Sequence, residues 1–282
     1  MTAQLIKEIA RNFGADLVGI ASTEALRYLP PEENPLSIFP QAKAVIVIGR
    51  KVLRGALRGI EQGTEFENAF PHFGFMMHED NFLAKTTYDL SIWMEARGFE
   101  AVPLFAYDCS GQSVGVPVAP GKPAPNVMLK YRTMAQAAGL GETGLHGLFL
   151  TPEFGLRQRF AMLVTDADIE ADTPFSPHLC DDCGACVSAC PLNALDADEA
   201  EVAGFAGCER GVAARDNAKC LLCKNGAVQT NEGRFNTVER MAAACSRACI
   251  AALELRGVTG ETFTHAFRQS SPWARDMHGN TL

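Results

Sequence analysis

The sequence lacks any apolar run of the roughly 18 residues that a membrane-spanning helix needs. Its first residues, MTAQLIKEIARNFG, form an amphipathic pattern without the basic-then-apolar layout of a secretory signal, and they contain no twin arginine. These absences predict a cytoplasmic protein that has no membrane partner.

The sequence also lacks an excess of basic residues. It has 25 Lys and Arg against 33 Asp and Glu, which gives a formal net charge of −8. A broad nucleic-acid surface needs clustered Lys and Arg, so we expect no nucleic-acid partner. Hydrophobic residues make up 47% of the 282 residues, which is ordinary for a globular chain with one large or two modest cores.

Cysteine is scarce in the first 170 residues, where only Cys109 occurs, and the other nine of the ten cysteines lie between Cys180 and Cys249. A cytoplasmic protein seldom builds a disulfide framework, so this clustering indicates metal ligation. Cys109 is expected to be a buried or loop thiol. The acidic, proline-containing stretch 167–177 predicts a boundary between a domain over residues 1–170 and a second over residues 171–282.

Hydrophobic periodicity before this boundary predicts a mixture of helices and strands. The predicted helices cover residues 6–13, 78–98 and 127–138. The predicted strands cover residues 16–20, 44–49, 101–105, 146–150 and 160–164. Residues 109–126 are rich in Gly, Pro and Ser, and they form a predicted long loop.

The strongest motif is Cys180-Asp-Asp-Cys183-Gly-Ala-Cys186-Val-Ser-Ala-Cys190-Pro191. This is the spacing C-x2-C-x2-C-x3-C-P, in which three thiolates bind one [4Fe-4S] cluster and the fourth binds a second cluster. Zinc sites generally use two separated CxxC pairs, and a haem site needs C-x-x-C-H, which is absent here. The motif therefore predicts a ferredoxin-like module.

A second cysteine set follows with less regular spacing, and it comprises Cys208, Cys220, Cys223, Cys245 and Cys249. An unbroken second motif would return a cysteine at position 227, where Ala227 stands instead. The predicted ligands of the first cluster are Cys180, Cys183, Cys186 and Cys249. The predicted ligands of the second are Cys190, Cys208, Cys220 and Cys223. Cys245 replaces one of these or is a spare thiol, and the alternative is one cluster beside a separate zinc site or bare thiols.

Gly139-Leu-Gly141-Glu-Thr-Gly144 matches the dinucleotide-binding pattern G-x-G-x-x-G. The nucleotide-binding version follows a strand and opens a helix, whereas here a predicted helix precedes the glycines and a predicted strand follows them. The glycines therefore indicate a helix C-cap and a tight turn. Glu142 either anchors this turn or accepts a hydrogen bond from a cofactor amide.

Several segments together resemble a known superfamily. The run Ala135–Arg159 (AQAAGLGETGLHGLFLTPEFGLRQR), the segments Ala15–Ala21 and Phe39–Gly49, and the cysteine motif are similar to corrinoid-dependent reductive dehalogenases and epoxyqueuosine reductases. The resemblance spans residues 5–195 of this sequence. It implies an α+β fold in which a nitroreductase-like cobalamin-binding domain is followed by a two-[4Fe-4S] ferredoxin-like module.

The resemblance also implies a function. An external low-potential donor, such as ferredoxin or flavodoxin, would supply electrons through two [4Fe-4S] clusters to a cobalamin, for reductive chemistry on a small organic substrate. Flavin is the less favoured substitute for cobalamin. The alternative function is an electron-transfer protein that serves a corrinoid or other redox partner and has no substrate chemistry of its own. The oligomeric state is left open.

One departure from these relatives concerns a catalytic acid. In an alignment on Ala135–Gly141, the catalytic Asp of epoxyqueuosine reductases falls on Pro125, which argues against epoxyqueuosine reduction. The sequence also has no D-x-H-x-x-G corrinoid box, in agreement with relatives whose cobalt has no lower ligand from the protein.

Candidate site residues flank the long loop and the glycine turn. Tyr131 is the first choice as proton donor, with Lys130 or Arg132 as its electrostatic neighbour. Asp108, at the end of a predicted strand, is the second choice. The structural alternatives are an amphipathic helix residue for Tyr131 and a turn-initiating residue for Asp108. The further candidate cofactor-binding residues are Gly141 and Glu142 in the glycine turn and, by resemblance, Thr151, Phe154 and Gly155 in the loop that follows.

Overall fold

A computed structural model describes residues 1–106, 115–125, 127–230, 237–273, 275 and 278–280. The α-helices are α1 (Ala3–Asn12), α2 (Pro35–Ile38), α3 (Arg58–Gln62), α4 (Ala84–Glu95), α5 (Tyr131–Ala137), α6 (Ala185–Ser188), α7 (Asn217–Leu222) and α8 (Ala244–Arg256). The strands are β1 (Leu17–Ser22), β2 (Ala44–Lys51), β3 (Ala101–Phe105), β4 (Glu142–Thr143), β5 (Phe149–Leu150), β6 (Gln158–Thr165), β7 (Leu195–Ala203), β8 (Arg210–Arg215), β9 (Val228–Thr230) and β10 (Thr237–Glu239). Within these residues, no helix combines the length and the apolar composition that crossing a bilayer requires.

The chain forms two compact units, and each is described by itself. The first unit comprises residues 1–51, 79–140 and 159–175. The second comprises residues 52–78, 141–158 and 176–282. The second unit thus takes up two segments that precede residue 170, whereas the predicted domain boundary near that residue stays a prediction.

A four-stranded sheet with the order β1-β2-β6-β3 forms the centre of the first unit. Strands β1 and β2 pair antiparallel, and so do β3 and β6. Strand β2 is buried from Ala44 to Gly49 because both of its faces are covered, which is why its sequence is continuously apolar rather than alternating. The strands predicted over residues 44–49 and 101–105 are confirmed.

One face of this sheet packs against α1 and α4. Residues two apart on a strand point to the same face, so alternate apolar side chains form this core. The larger members are Ile6, Val18, Ile20, Ile46, Ile48, Leu83, Leu90, Met94 and Leu163. Helix α1 begins at Ala3 because the Thr2 side chain accepts a hydrogen bond from the Leu5 backbone N–H at 3.3 Å.

The opposite face of β1 receives α5. A Cβ atom at Gly19 would lie only 2.2 Å from the Ala138 carbonyl oxygen, so glycine is required for this close approach. Helix α5 ends just before Gly139, which has a φ of +75°. The predicted helix C-cap at the glycine motif is confirmed, and a nucleotide-binding turn is not formed there.

The predicted elements differ from the structure at three places. The helix predicted over residues 78–98 begins as a π-helical segment, His78–Leu83, before α4. The helix predicted over residues 127–138 begins only at Tyr131. The strand predicted over residues 146–150 is reduced to β5, because the Gly147 N–H donates to the Gly144 carbonyl and closes a turn. Asp108 and Cys109 lie outside the described residues.

In its described residues, the second unit contains three antiparallel two-stranded pairs and the helices α6, α7 and α8, which carry four of the cysteines. The pairs are β4 with β5, β7 with β8, and β9 with β10. The β7–β8 hairpin has a register shift between Asp196 and Ala200. Helix α6 packs on α8, and α7 packs near β10. These elements bring nine cysteines from a long stretch of sequence into one unit.

Candidate metal centre

The loop from Cys180 to Cys186 is curled by two residues with left-handed backbone. Asp182 has a φ of +56° and Gly184 a φ of +70°. Asp182 is not a glycine, and its conformation is held by Arg210, whose guanidinium donates to the Asp182 carboxylate and, at 3.2 Å, to the Cys180 carbonyl. This curl directs successive thiols of the motif toward a common centre.

The first thiol group consists of Cys180, Cys183, Cys186 and Cys249. Burial raises the pKa of Cys186 to about 12, and the thiolates of Cys180, Cys245 and Cys183 add to the rise. Burial also raises the pKa of Cys249, with further contributions from the thiolates of Cys186, Cys180, Cys183 and Cys245. Thiolates raise one another's pKa values only when they lie close together. A bound cation would lower these pKa values again, because it neutralises the thiolate charges.

The second thiol group consists of Cys190, Cys220, Cys223 and Cys245, which line one pocket together with apolar residues and two basic ones, Lys219 and Arg240. Burial raises the pKa values of Cys220 and Cys223, and the thiolates of Cys245 and Cys190 raise both further. At Cys220 the positive charges of Arg240 and Arg215 oppose this rise in the pKa. Cys208 was predicted as a ligand of the second cluster, but it does not line this pocket. Cys245, which was predicted either to replace one of these ligands or to be a spare thiol, lines the pocket as its fourth cysteine.

Helix α8 supplies one thiol to each group. Cys245 and Cys249 are four residues apart, so they lie on the same side of the helix one turn from each other. Cys186 and Cys245 share one apolar core with Leu195, Ala213 and Ala243. The two thiol groups therefore adjoin each other. Among the residues that the structure describes, no three His, Cys, Asp or Glu side chains stand close enough together to hold a single metal ion.

A spacing signal for Cys245 is present in the sequence. The pair Cys245-x3-Cys249 repeats the spacing of Cys186-x3-Cys190, and Cys220-x2-Cys223 repeats that of Cys183-x2-Cys186. The second motif is therefore complete, but residues 224–244 are inserted into it. The cysteine spacing on either side of this insertion indicates Cys245, rather than Cys208, as the ligand.

Backbone N–H groups point at two of the sulfurs. The Ala194 N–H donates to Cys190 Sγ at 3.2 Å, and the Leu145 N–H donates to Cys180 Sγ at 3.4 Å. Hydrogen bonds to ligand sulfurs are one of the means by which a protein sets the reduction potential of an iron–sulfur cluster. The sulfur environment thus has a feature that suits bound thiolates.

Glu142 anchors the entry to the cysteine motif. Its side chain is fully buried, and one carboxylate oxygen accepts hydrogen bonds of 2.6 Å from the backbone N–H groups of both Leu179 and Cys180. The other oxygen lies 3.6 Å from the Arg210 guanidinium. At the preceding position, a Cβ on Gly141 would lie 1.9 Å from the Leu150 carbonyl oxygen, so glycine is needed for β4 to pair with β5.

The predicted cofactor residues Thr151, Phe154 and Gly155 form a closed turn in the second unit. Thr151 and Gly155 exchange backbone hydrogen bonds of 2.8 and 2.9 Å. The Thr151 hydroxyl donates to Gln158 at 3.1 Å and accepts from the Phe154 N–H at 3.2 Å. The Thr151 and Glu142 side chains thus have protein partners, and a cofactor role for these residues stays a prediction.

The predicted proton donor and its neighbours lie in the first unit. Tyr131 is the first residue of α5, and its ring centroid is 5.9 Å from that of Phe160. The Arg132 guanidinium lies 4.8 Å from the centre of the Tyr131 ring, whereas Lys130 pairs with Glu33 at 2.8 Å. Arg132 is therefore the cation beside Tyr131. The second predicted acid, Asp108, falls outside the described residues.

Comparison with known families and proteins gives three findings. Residues 173–196 match the family of 4Fe-4S binding domains. A tetrachloroethene reductive dehalogenase from Dehalobacter restrictus is 25% identical over 233 residues, which cover 68% of this chain and 38% of that protein. An epoxyqueuosine reductase from Synechocystis is 24% identical over 187 residues, which cover 66% of this chain and 55% of the relative.

A solved reductive dehalogenase, studied for B12-dependent dehalogenation, has a similar fold. It matches with a TM-score of 0.57 at 19% identity, over 88% of this chain and 31% of that chain. This likeness shows the fold alone. Because the chain spans well under two thirds of the relatives' own length, their activities are not transferred to it directly.

The comparisons correct the prediction of no nucleic-acid partner. One similar solved structure is an epoxyqueuosine reductase with a modified tRNA-Tyr stem loop, at a TM-score of 0.48 and 18% identity, over 68% of this chain and 52% of that one. Curated relatives also carry the name of that reductase. The prediction relied on net charge, which does not report how charge is distributed around a local binding site.

Proposed function

Since this chain belongs to the superfamily that contains the epoxyqueuosine reductases and the reductive dehalogenases, we propose that it is an iron–sulfur oxidoreductase with two [4Fe-4S] clusters and a cobalamin. It performs reductive chemistry on a small organic substrate. In this proposal a nitroreductase-like domain covers residues 1–170 and a ferredoxin-like module covers residues 171–282. An external low-potential donor of the ferredoxin or flavodoxin type supplies the electrons, and the protein acts in the cytoplasm.

The observation that carries the proposal is the gathering of eight thiols in one unit, where four of them line a single pocket and the other four form the first thiol group beside it. A [4Fe-4S] cluster takes four cysteine thiolates, and each thiol group offers four. The buried thiols of Cys186, Cys220 and Cys245 and the N–H groups directed at two other sulfurs suit this cofactor. Bound clusters would supply one-electron transfer, and the residues that hold them are those of the first and second thiol groups.

Support for cobalamin comes from the relatives. In the described residues, the Glu142 carboxylate and the Thr151 hydroxyl are engaged by the protein itself. No step is therefore assigned to cobalt. What this chain contributes is a candidate proton donor, Tyr131, with the Arg132 guanidinium against its ring. A cation at that position stabilises the negative charge left on the phenol oxygen after proton donation.

Metal analysis of anaerobically purified protein tests the proposal. We expect about eight iron and about eight sulfide per chain, from two four-iron clusters. One cobalt should accompany them, with a corrin spectrum after denaturation. A flavin spectrum would show that flavin is bound instead of cobalamin. Iron without either cofactor would favour the alternative function, an electron-transfer protein. Zinc in place of iron would contradict the whole proposal.

Substrate assays separate the two kinds of relative. Reduced protein is mixed with tetrachloroethene, for which the Dehalobacter relative is named, and in parallel with an epoxyqueuosine-containing tRNA stem loop. Oxidation of the clusters by the organic compound supports a small-molecule substrate. Conversion of the stem loop would instead identify a nucleic-acid substrate, in spite of Pro125 at the aligned position of the catalytic Asp.

A further inference from the structure

The second thiol group contains an interruption that the first does not have. In the first motif only Gly184 and Ala185 separate Cys183 from Cys186, so local backbone geometry alone brings the two sulfurs together. In the second, residues 224–244 separate Cys223 from Cys245, yet both cysteines line the same pocket. Contacts outside the local loop must return the chain to this pocket.

The inserted segment, residues 224–244, leaves the pocket and returns to it at one place. Strands β9 and β10 pair antiparallel within it, from Val228↔Glu239 to Thr230↔Thr237. At its base, the Ala244 N–H donates to the Asn225 carbonyl at 3.0 Å. In its described residues, 224–230 and 237–244, the segment thus forms the two arms of a hairpin, and the ends of these arms meet beside the pocket.

Arg247 joins the two ends of this hairpin. Its side chain is fully buried on α8, between Cys245 and Cys249. One nitrogen of the guanidinium donates to the Asn225 side-chain oxygen at 2.6 Å. Another donates to the Asn225 carbonyl at 3.3 Å and also to the Ala242 carbonyl. A planar group with several fixed donors suits such simultaneous contacts, which a lysine could not reproduce.

The charge of Arg247 is balanced on its remaining side. Its Nε donates to Glu61 at 2.8 Å, and Arg268 holds the same carboxylate at 2.7 Å. Gly226 completes the packing, because a Cβ there would lie 2.3 Å from the Ala242 carbonyl oxygen and 2.6 Å from the Arg247 guanidinium. Each nitrogen of the Arg247 guanidinium thus donates a hydrogen bond, so this buried polar centre has a defined geometry.

We propose that Arg247 is a positioning residue for the second cluster: it clasps both ends of the hairpin and so holds Cys245 within reach of Cys190, Cys220 and Cys223. The proposal rests on the proposed function, because it concerns a ligand of the second [4Fe-4S] cluster. It does not give Arg247 contact with substrate or with a reacting atom. The clasp takes the place of the short loop that performs the same task in the first motif.

The test compares Arg247→Met with Arg54→Met. Arg54 is also buried in this unit and also pairs with a residue of α8, Glu254 at 2.8 Å, but it does not contact the hairpin ends. We expect about eight iron per chain in the unchanged protein and in Arg54→Met, and about four in Arg247→Met. The electron paramagnetic resonance spectrum of dithionite-reduced Arg247→Met should show a single cluster instead of two interacting ones.

A second pair of variants applies if Arg247→Met does not fold. Asn225→Asp keeps the acceptor for the guanidinium and should retain both clusters, whereas Asn225→Leu should lose the second. Full iron content in Arg247→Met and Asn225→Leu would overturn the positioning role and leave the proposed function intact. Equal iron loss in Arg54→Met would also overturn it, because the loss would then follow general stability. An unchanged protein without iron would overturn both.

Discussion

Glu142 and Cys180 are joined by a hydrogen bond of 2.6 Å, which the Cys180 backbone N–H donates to the buried carboxylate. The two residues come from the glycine turn and from the start of the cysteine motif. The same oxygen accepts from Leu179, so one carboxylate fixes two successive peptide groups. The glycine turn, which matches G-x-G-x-x-G, thus fixes the position of the backbone at Cys180, the first cysteine of the motif.

Removal of this carboxylate tests that relationship. Glu142→Ala should destabilise the protein by about 3–5 kcal/mol, because it removes the buried charge facing Arg210 and leaves two N–H groups unsatisfied. Glu142→Gln keeps an acceptor and should cost less. Urea unfolding and iron content measure the effects, and the first cluster should be lost more readily in the alanine variant. Identical unfolding curves for both variants and the unchanged protein would contradict the role.

The assignment of Cys245 is tested against Cys208. Cys245→Ser should reduce iron from about eight to about four per chain, because it removes one of the four thiols of the second pocket. Cys208→Ser is the matched control, since Cys208 is only partly buried and does not line that pocket. Iron and sulfide analysis after anaerobic reconstitution gives the answer. Loss of iron in Cys208→Ser with retention in Cys245→Ser would restore the original prediction.

Two glycines with left-handed backbone offer a test of the hairpin base. Gly226 has a φ of +80° and faces the Ala242 carbonyl at clashing distance, whereas Gly257 has a φ of +63° with open space around it. Gly257→Ala should cost about 1 kcal/mol from backbone strain alone. Gly226→Ala adds a clash with backbone and should cost more, with loss of iron from the second pocket. Thermal unfolding and iron content together distinguish the two, and equal effects would argue against the tight base.

Tyr131→Phe tests the proposed proton donor. The variant keeps the ring contacts with Phe160 and Arg132, so stability should change little. Substrate-dependent oxidation of the reduced protein should slow by about 10²-fold or more, which is typical of a lost general acid. Tyr88→Phe is the control, because Tyr88 is exposed and lies elsewhere in the first unit. A normal rate in Tyr131→Phe would assign Tyr131 to helix packing.

The sequence predicts most of the central sheet because its strands have strong local signals. Residues 44–49 are β-branched and continuously apolar, and such a run has few alternatives to a buried strand. The segment 146–150 is also apolar, but Gly144 and Gly147 close a turn within it, so only β5 remains. Hydrophobic pattern does not report where such a turn forms.

The four cysteines of the first motif, Cys180 to Cys190, could be identified as ligands from their spacing, because one local loop holds three of them. The ligand pairing of the later cysteines depends on tertiary contacts. Arg247 and Asn225 are 22 residues apart, and Arg247 and Glu61 are 186 apart, so no local pattern connects them. The anchoring of Cys180 by Glu142 is missed for the same reason, although Glu142 itself was singled out by its place in the glycine turn.

Because Arg247 and the Ala244 N–H both bind Asn225, the chain leaves the second pocket and comes back to it through a single closed base. The separation of Cys223 and Cys245 along the sequence is therefore no guide to their separation in space. A search for such a site by one fixed cysteine spacing would pass over it, whereas a search that pairs C-x2-C with a distant C-x3-C would find it.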